Sequence, residues 1–521
     1  MTHKRTVGID FGTTRSAIAH VVGGEPETIE NASGNDVTPS VVQVADGEVV
    51  VGEEAANAEV LHPDKTVSEV KRDVGEDTNY SVDGESYTPA EIASLVIEKV
   101  VDDAEDRLGQ DLDSAVITVP AYFNDNERTV VENAGRIAGL DVEKLLPEPS
   151  AAALAHGVRQ GKLAEDGECE DELVFVFDLG GGTFDVSLVD VNYEFNTFET
   201  LNTDGDTDLG GADWTTAVVD WIAEKTEAET GVDVRDDAQQ FQRVRQAAIE
   251  AKHALSSRSS YDIAIPFLVS EADYNFEETL TRERFDELTA DLLELTRDPI
   301  ESLFEASDHT LKNVDEVVLV GGATRMPQVE EFVSEYFGRD PSTNVSPDEA
   351  VAMGAAIQAE IVDSAVGGAD LLPGSEYGLT LTDVVPQPIG VEVYNPYGPG
   401  KFCTLVERDE AIPLSVRRDT FATVGSRQTS VEISIYQGDG EIVDDEELEH
   451  IGTAVLEDIP TRNPTEESLG VELAVNSNGT VEVEGRDLIS GETIHATFEN
   501  ALQMGDEEIE ESRETLPEQK A

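Results

Sequence analysis

The chain has 521 residues and carries 111 acidic against 34 basic side chains, a formal net charge of −77 at pH 7. This length allows two or three domains, and a hydrophobic content of 39% identifies a folded protein with an acidic surface, not a disordered acidic chain. The acid excess argues against nucleic-acid binding and resembles the surfaces of proteins from salt-accumulating halophiles.

The two cysteines, Cys169 and Cys403, are too few for a disulfide framework and lack the spacing of metal ligands. The sequence contains no apolar stretch of membrane-spanning length, and the N-terminal MTHKRTVGIDFG enters a strand without an apolar leader segment. We therefore expect a cytoplasmic protein that has no membrane partner.

Up to about residue 376, short apolar strands alternate with helical patterns, which is typical of a layered α/β architecture. Residues 114–122 (SAVITVPAY) predict a strand, and residues 126–138 predict the helix that follows it. A further helix is predicted to begin at Pro327, because proline suits the first turn of a helix.

After about residue 386 the apolar residues recur with a period of two, which predicts an all-β half. The segment SVEISIYQG places Val431, Ile433 and Ile435 on one face of a strand. Asn478 and Gly479 stand between two alternating segments and predict a tight hairpin turn. The acidic tail has room for only a few helical turns.

One glycine-containing pattern occurs twice in the α/β half. Residues 7–17 read VGIDFGTTRSA and residues 177–187 read FDLGGGTFDVS, each an apolar strand followed by Asp, Gly and Thr. A glycine turn lets backbone N–H groups approach phosphate oxygens, and threonine adds a hydroxyl donor. The carboxylates would repel phosphate, so we expect them to accept hydrogen bonds from the waters of a Mg²⁺ ion.

A single turn of this kind is more often an ordinary hairpin, but a matched pair suggests two lobes that clamp a polyphosphate from both sides. Two further glycine turns, VGGATR (320–325) and LGGADW (209–214), are weak signals alone. The P-loop pattern GxxxxGK[ST] does not occur in the sequence.

Eight motifs together resemble the DnaK family, the seventy-kilodalton heat-shock chaperones. They are DFGTT, AVITVPAYFNDNER, NAGRIAGL, PEPSAAALAHG, DLGGGTFDVS, DGDTDLGGADW, VLVGGATRMP and SPDEAVAMGAA, in the family's order from residue 6 to about residue 498. The resemblance implies a two-lobed, actin-like (ribonuclease-H-like) α/β ATPase domain followed by an all-β sandwich that binds extended peptides. The implied boundaries are 1–376 for the ATPase domain, 377–386 for the linker, 387–498 for the sandwich and 499–521 for the tail.

The resemblance also implies the residues of an ATP site. The expected catalytic residues are Lys71, Glu148, Asp10, Asp178 and Thr183, and Asp10 and Asp178 would hold Mg²⁺ through water. Lys71 would orient the attacking water and stabilise charge on the transferred phosphoryl group; otherwise it belongs to an ordinary surface Lys-Arg pair. The expected ATP- and ADP-binding residues are Gly12, Thr13, Thr14, Gly180, Gly181, Gly182, Asp185, Gly210, Gly211, Lys252, Ser256, Gly321, Gly322, Arg325 and Asp348. K⁺ is expected to accompany Mg²⁺.

Three positions in the expected nucleotide site depart from the family's pattern. Ile249 stands where the family has an acid that bonds the ribose, and Glu250 lies about 100° further around the helix. His253 replaces a longer base that packs on the adenine. Both changes predict weaker nucleotide binding without affecting hydrolysis. Arg15 replaces a bulky residue after the first threonines, and the sequence alone does not explain it.

The resemblance further implies coupling between the domains. The expected coupling residues are Pro120, Arg128, the linker acid Asp383 and Lys144, which stands where the family's arginine receives a J-domain. The expected peptide-binding residues are Val391, Val393, Tyr394, Phe421, Val424, Val431 and Ile433; ordinary sandwich core is the competing interpretation for Phe421 and Ile433. Expected partners are unfolded polypeptide segments, a J-domain co-chaperone and a GrpE-like exchange factor.

The sequence ends where the family's helical lid would begin, so we expect weak peptide binding with fast release. The leading hypothesis is an ATP-dependent chaperone that binds apolar segments of unfolded proteins. The alternative is an ATP-binding regulatory or exchange partner with little refolding activity, which Ile249 and the short tail favour. A sugar kinase with the same actin-like fold is a third candidate, which the β-rich half disfavours.

Overall fold

The structure, a computed structural model, describes residues 6–76, 78–160, 171–366, 379–445, 447–457, 459–460, 467–489, 493–494, 497–499, 502–517 and 519. Cys169 and the first residues of the expected linker lie outside these ranges. None of the helices in the described ranges combines the length and the apolar character needed to cross a bilayer.

The first lobe is built on a six-stranded sheet with the order β11-β10-β1-β2-β3, and β4 pairs with β2. Its elements are β1 (Thr6–Asp10), β2 (Arg15–Val22), β3 (Glu25–Thr28), β4 (Thr38–Pro39), β5 (Val41–Ala45), β6 (Glu48–Val51), α1 (Glu53–Glu59), β7 (Thr66–Ser68), β8 (Tyr80–Val82), β9 (Glu85–Tyr87), α2 (Pro89–Leu108), β10 (Ser114–Val119), α3 (Asp125–Ile137), β11 (Asp141–Pro147) and α4 (Glu148–Arg159).

The second lobe is built on another six-stranded sheet, with the order β17-β12-β13-β14-β18-β21, in which β18 (Thr380–Val384) and β21 (Ala411–Ile412) come from the last part of the chain. Its elements are β12 (Glu172–Leu179), β13 (Phe184–Asn192), β14 (Thr197–Asp206), α5 (Gly211–Thr230), α6 (Ala238–Ser257), β15 (Ser260–Val269), β16 (Tyr274–Thr281), α7 (Arg282–Leu295), α8 (Arg297–Ala306), β17 (Glu316–Val320), α9 (Pro327–Phe337) and α10 (Ala350–Val366).

The last part of the chain is mostly β structure. Its elements are β18 (Thr380–Val384), β19 (Ile389–Val393), β20 (Lys401–Val406), β21 (Ala411–Ile412), β22 (Leu414–Phe421), β23 (Val431–Gly438), β24 (Leu448–Leu456), β25 (Leu469–Val475), β26 (Val481–Asp487), β27 (Thr493–Ile494), β28 (Thr497–Glu499) and α11 (Asp506–Thr515). Two sheets, β20-β19-β23-β24-β28 and β22-β25-β26-β27, enclose a shared apolar core. The predicted hairpin is present, with Gly479 at a φ of 80° between β25 and β26.

The repeated sequence pattern corresponds to a repeated topology. In each lobe three strands run antiparallel in chain order, and a later strand joins the first of them in parallel: β10 joins β1, and β17 joins β12. The turns β1–β2 and β12–β13 therefore lie at equivalent places in the two lobes. This arrangement is the two-lobed fold expected from the sequence.

Helices α4 and α10 lie between the two main sheets and hold the lobes together. They contribute a run of buried alanines and other small residues to a core that both sheets share. Gly354 packs so closely on α4 that a Cβ atom there would overlap the carbonyl group of Ala151. Small side chains at this crossing bring the two glycine turns to a common cleft.

The tail helix α11 packs on the first lobe. Ile509 is buried in the first lobe's core, and Leu502, Met504 and Leu516 pack against that core. Asn133 donates a hydrogen bond to the carbonyl oxygen of Leu502 at 2.8 Å, and Arg136 pairs with Asp506.

Candidate nucleotide site

The two glycine turns meet at a cleft of about 460 Å³ between the lobes. A Cβ atom on Gly181 would lie 2.6 Å from Thr14 Oγ1, and one on Gly182 would lie 2.6 Å from Thr13 Cγ2. Real Cβ atoms do not approach other heavy atoms so closely, so glycine is needed for the turns to touch. The structure thus brings together the two segments that the sequence pattern pairs.

Most of the predicted ATP-site residues line this cleft. They are Asp10, Gly12, Thr13, Thr14, Lys71, Glu148, Asp178, Gly180, Gly181, Thr183, Gly211, Lys252, Ser256, Gly321, Gly322, Arg325 and Asp348. The other three predicted residues are set back from the surface of the cleft. Gly182 contacts Thr13, Gly210 contacts Gly182, and Asp185 accepts a hydrogen bond from the backbone N–H of Tyr122 at 3.0 Å.

Lys71 and Glu148 form a buried ion pair at the floor of the cleft. Lys71 Nζ donates to Glu148 Oε1 at 2.5 Å, and the two side chains are 2% and 9% exposed. Lys71 belongs to a short 3₁₀ turn, Val70–Arg72, and Glu148 is the first residue of α4. The rings of Phe11 and Phe123 lie 5.7 and 5.8 Å from Lys71 Nζ. The ordinary surface Lys-Arg interpretation is therefore wrong for Lys71.

Several carboxylates share the same enclosed space. Burial, followed by repulsion from Glu148, raises the pKa values of Asp10 and Asp185 to about 7. The same two causes hold the pKa of Asp178 well above its ordinary value. Each carboxylate is therefore electrostatically unfavourable in this cleft unless a cation or a proton compensates it.

The residues present fit a hydrated Mg²⁺ ion. Asp178 Oδ2 is buried and has no hydrogen-bond partner among the described residues. Asp10 lies near Asp178, and its negative charge contributes to the raised pKa of Asp178. The described residues form no direct metal-ligand cluster. Carboxylates that accept hydrogen bonds from a metal's water shell need no such cluster.

The end of the cleft that is expected to bind the nucleoside is formed by α6 and by the turn after β17. Gly321 adopts a φ of 82° and packs against the carbonyl group of Leu179. Arg325 Nε donates to Asp348 Oδ2 at 2.7 Å. Ile249 lines the cleft, whereas Glu250 points elsewhere and accepts hydrogen bonds from Gln246 and Tyr261. Glu250 therefore does not replace a carboxylate at position 249.

Two arginines that the sequence analysis did not select connect the lobes across the cleft. Arg72 of the first lobe donates to Asp213 of α5 at 2.6 Å and to the carbonyl oxygen of Gly182 at 3.3 Å. Arg245 of α6 pairs with Glu69. Arg72 could have been noticed because it directly follows Lys71 in the sequence. No sequence pattern predicts that Arg72 contacts Asp213 and Gly182.

The described part of the expected linker forms a strand at the edge of β14 in the second lobe. β18 pairs in parallel with β14 and antiparallel with β21. Asp383 is 4% exposed, and it accepts a hydrogen bond from Ser150 Oγ at 2.6 Å. Lys144 Nζ lies 3.8 Å from Asp383 Oδ2. The structure thus brings two of the expected coupling residues, Lys144 and Asp383, directly together, and it adds Ser150 as a partner of Asp383 that the sequence analysis missed.

The sandwich also contacts the first lobe near the predicted coupling residues. The buried Arg128 donates to the carbonyl oxygens of Phe123 and Ala121, and at 3.3 Å to that of Asn478 in the β25–β26 hairpin. Pro120 is buried in the same turn and accepts the backbone N–H of Phe123. This contact connects the cleft-side turn after β10 to the sandwich.

A second contact between the domains centres on an arginine that the sequence analysis did not select. Arg408 donates to Asp204 at 3.1 Å and to Tyr122 Oη at 3.2 Å, and it also pairs with Asp439. Its partners come from the two lobes and from the sandwich.

The predicted peptide-binding residues divide by exposure. Val391 and Ile433 are buried in the sandwich core, and Phe421 and Val431 pack partly against that core. Tyr394 and Val424 are 67% and 56% exposed, and Val393 is half-buried. The core interpretation therefore holds for Ile433, and among the predicted peptide-binding residues the exposed apolar side chains are those of Tyr394 and Val424.

Comparison with known proteins gives one consistent result. The family model described as Hsp70 protein matches residues 6–521. Proteins named "Chaperone protein DnaK" from two strains of Halobacterium salinarum are each 41% identical to this chain over 517 residues. These residues make up 99% of this chain and 78% of each relative.

Proposed function

Since the chain belongs to the Hsp70 family, whose members are ATPases and chaperones, we propose that it couples ATP hydrolysis to the binding and release of unfolded polypeptide segments. Its ATPase activity uses ATP with Mg²⁺, as in the family. The observation that carries the proposal is the cleft in which two glycine turns meet above the buried Lys71–Glu148 pair.

In the proposed reaction the two turns bind the phosphates through backbone N–H groups and through the hydroxyls of Thr13 and Thr183. Asp10 and Asp178 would hold Mg²⁺ through its water shell, and the ion would supply Lewis-acid stabilisation of the phosphates when bound. Lys71 is held rigidly by Glu148 and directs its charge at the phosphoryl group and the attacking water. Glu148 orients that water and accepts its hydrogen bond.

The proposed coupling path runs from the cleft through α4 to the linker. Glu148 and Ser150 are two residues apart at the start of this helix, and Ser150 bonds the linker acid Asp383. A shift of α4 on ATP binding or hydrolysis would therefore reach the linker strand directly. The sandwich would then bind an extended apolar segment by strand addition, with Tyr394 and Val424 over the bound chain.

Further parts of the proposal concern partners and ions. A J-domain co-chaperone would bind near Lys144, whose ammonium group lies at the linker acid, and a GrpE-like factor would promote nucleotide exchange. K⁺ would accompany Mg²⁺ in the acid-rich cleft, and replacing KCl with NaCl tests this. A cytoplasmic location is proposed as well, and cell fractionation tests it.

The regulatory alternative draws support from one observation. Ile249 presents only hydrocarbon to the nucleoside end of the cleft, which favours ATP bound as a structural ligand. Steady-state ATPase assays at high KCl, with and without an apolar peptide and a J-domain protein, distinguish the two functions. Stimulated turnover supports the chaperone, and slow turnover that neither partner changes supports the alternative.

A further inference from the structure

The turn that carries Lys71 depends on contacts from outside its own segment. Lys71 is the middle residue of the 3₁₀ turn Val70–Arg72 in the first lobe. Glu69, directly before this turn, has a φ of 61° and a ψ of 25°, the left-handed region that residues with a Cβ atom adopt rarely. Such a conformation persists only where neighbouring groups hold it. The groups that bind Glu69 therefore help to determine where the turn lies.

An arginine of the second lobe holds Glu69. Arg245 of α6 forms an ion pair with the Glu69 carboxylate, and its other terminal nitrogen lies 3.5 Å from Glu59 Oε1. Glu59 Oε1 also accepts a hydrogen bond from Ser68 Oγ at 2.8 Å. The side chains of Arg245 and Glu69 are 18% and 22% exposed, so solvent screens their attraction less than that of a surface pair. The two residues that precede the Lys71 turn are therefore tied to α6.

The other end of the turn is also attached to the second lobe. Arg72 donates through both terminal nitrogens to the two carboxylate oxygens of Asp213, at 2.6 and 3.4 Å. Asp213 is itself fixed at the start of α5, where it accepts the backbone N–H of Gly210 at 2.7 Å. Arg72 also donates to the carbonyl oxygen of Gly182 at 3.3 Å. Lys71 thus lies between two bridges that cross the cleft, one at each end of its turn.

These bridges supply a constraint that the Lys71–Glu148 pair does not supply. The pair fixes the ammonium group relative to Glu148, the first residue of α4. The second glycine turn belongs to the other lobe, and the bridges through Arg72 and Arg245 connect the Lys71 turn to that lobe. Separation of the lobes would break both bridges and release the turn that carries Lys71.

We propose that Arg245 is a positioning residue for ATP hydrolysis, which holds the Lys71 turn through Glu69 so that Lys71 is aligned only while the lobes are closed on each other. This inference rests on the proposed function, because it concerns the reaction in the same cleft. Arg245 acts on the chemical step, so its loss should lower the rate of hydrolysis without a matching loss of nucleotide affinity.

Single-turnover hydrolysis of Mg-ATP by the full chain measures the chemical step, and calorimetry measures the Kd for ADP. Arg245→Gln should lower the single-turnover rate roughly tenfold, because a small displacement of a catalytic group is costly, and should change the Kd less than about twofold. Glu69→Gln should have the same effect. The double variant Arg245→Gln/Glu69→Gln should be no slower than either single variant, since the two residues act as one unit. Arg245→Lys keeps the charge but loses the forked geometry, so its rate should be intermediate.

Amide hydrogen exchange gives a readout that needs no nucleotide. The backbone N–H groups of Arg72 and Asp73 donate to the carbonyl oxygens of Glu69 and Val70, each at 3.0 Å. Both amides should exchange faster in nucleotide-free Arg245→Gln than in the wild-type chain. Unchanged exchange would mean that the turn keeps its shape without Arg245 and would reject this inference, whatever the rate of ATP hydrolysis.

The matched control is Arg243→Gln on the same helix, because Arg243 donates to the carbonyl oxygens of Pro266 and Phe267 within the second lobe. This variant should leave hydrolysis and amide exchange of the Lys71 turn unchanged, and an equal loss here would assign the effect to a loosened α6 and reject the proposal. Faster ADP release from Arg245→Gln at an unchanged single-turnover rate would mean that the bridge only holds the lobes together, which also overturns the inference. A wild-type chain that hydrolyses no ATP would overturn the proposed function and this inference together.

Discussion

Lys71 Nζ lies 2.5 Å from Glu148 Oε1, and neither side chain is more than 9% exposed. A buried pair of this kind is held in one geometry, so the lysine can direct its charge at a reacting group without reorganisation. Lys71→Ala should therefore reduce kcat for ATP hydrolysis by at least about 100-fold. Single-turnover and steady-state ATPase assays measure this loss.

The same substitution leaves the Glu148 carboxylate buried without its cation, which costs about 3 kcal/mol of stability. The double variant Lys71→Ala/Glu148→Gln removes both charges, so it should recover stability but not turnover. Lys65→Ala is the matched control, because Lys65 pairs with Asp83 at a site 29% exposed. Wild-type turnover in folded Lys71→Ala protein would contradict the catalytic role of Lys71.

Because the two glycine turns touch, we expect alanine substitutions at neighbouring glycines to differ in their effect on stability. A Cβ atom at position 182 would lie 2.6 Å from Thr13 Cγ2 and 2.9 Å from Arg72 Nε, whereas one at position 180 would meet Thr183 at an ordinary 3.5 Å. Neither glycine needs a positive φ, so the backbone itself accepts alanine at both positions.

Gly182→Ala should thus force the lobes apart and destabilise the protein by about 1–3 kcal/mol. Gly180→Ala should leave thermal unfolding nearly unchanged. Differential scanning calorimetry of the two nucleotide-free variants makes the comparison. Equal melting temperatures for both would mean that the turns do not touch in solution.

The docked linker gives a third prediction. Asp383 accepts a hydrogen bond from Ser150 and lies within 3.8 Å of Lys144. Asp383→Asn keeps the shape of the side chain but removes the charge, so the linker should leave its groove more often. We expect faster protease cleavage within residues 379–386 and loss of peptide-stimulated ATPase activity, with basal turnover retained.

Thr380→Val is the control for the linker, because Thr380 is exposed at the start of β18 and its backbone pairing does not depend on its side chain. Limited proteolysis with and without ATP measures linker docking. If Asp383→Asn keeps full peptide stimulation, the proposed path through Ser150 is wrong.

The sequence predicted the parts of the molecule that local patterns specify. The duplicated Asp-Gly-Thr turns, the helix that begins at Pro327 and the hairpin at Gly479 appear as expected, and the strand predicted at 114–122 is present but ends at Val119. Each of these signals is contained within a dozen residues. It consists of a hydrophobic period, a residue that favours a turn or a residue that favours the start of a helix. Both lobes could therefore be recognised before any contact between them was known.

Contacts between distant segments were not predictable in this way. Arg72 meets Asp213, and Ser150 meets Asp383, but no spacing rule connects residues so far apart in the chain. Docking of α11 on the first lobe was likewise missed, since its sequence is acidic and only Ile509 is buried within a core. The sequence therefore identifies site residues better than it identifies the residues that hold them.

The last prediction concerns a glutamate at the junction of the first lobe and the sandwich. Glu127 Oε2 accepts the backbone N–H of Asn124 at 2.7 Å, and the side chain packs against Gly75. Asn124 in turn donates to Glu449 of the sandwich at 2.6 Å. Burial, with a further contribution from the Glu449 charge, raises the pKa of Glu127 to about 8 from its ordinary value of 4.5.

Because the folded protein binds this proton more tightly than the unfolded chain, folding takes up a proton between about pH 4.5 and pH 8. The contribution of Glu127 to stability is therefore fully present below about pH 4.5 and is lost as the pH rises through about 8. Glu127→Gln keeps the hydrogen bond to Asn124 without the titration. Its melting temperature should fall less steeply than that of wild type between pH 6 and pH 9, a window that spans the raised pKa. Exposed Glu85→Gln should follow the wild-type curve, and parallel curves for Glu127→Gln and wild type would rule out titration of Glu127 in this range.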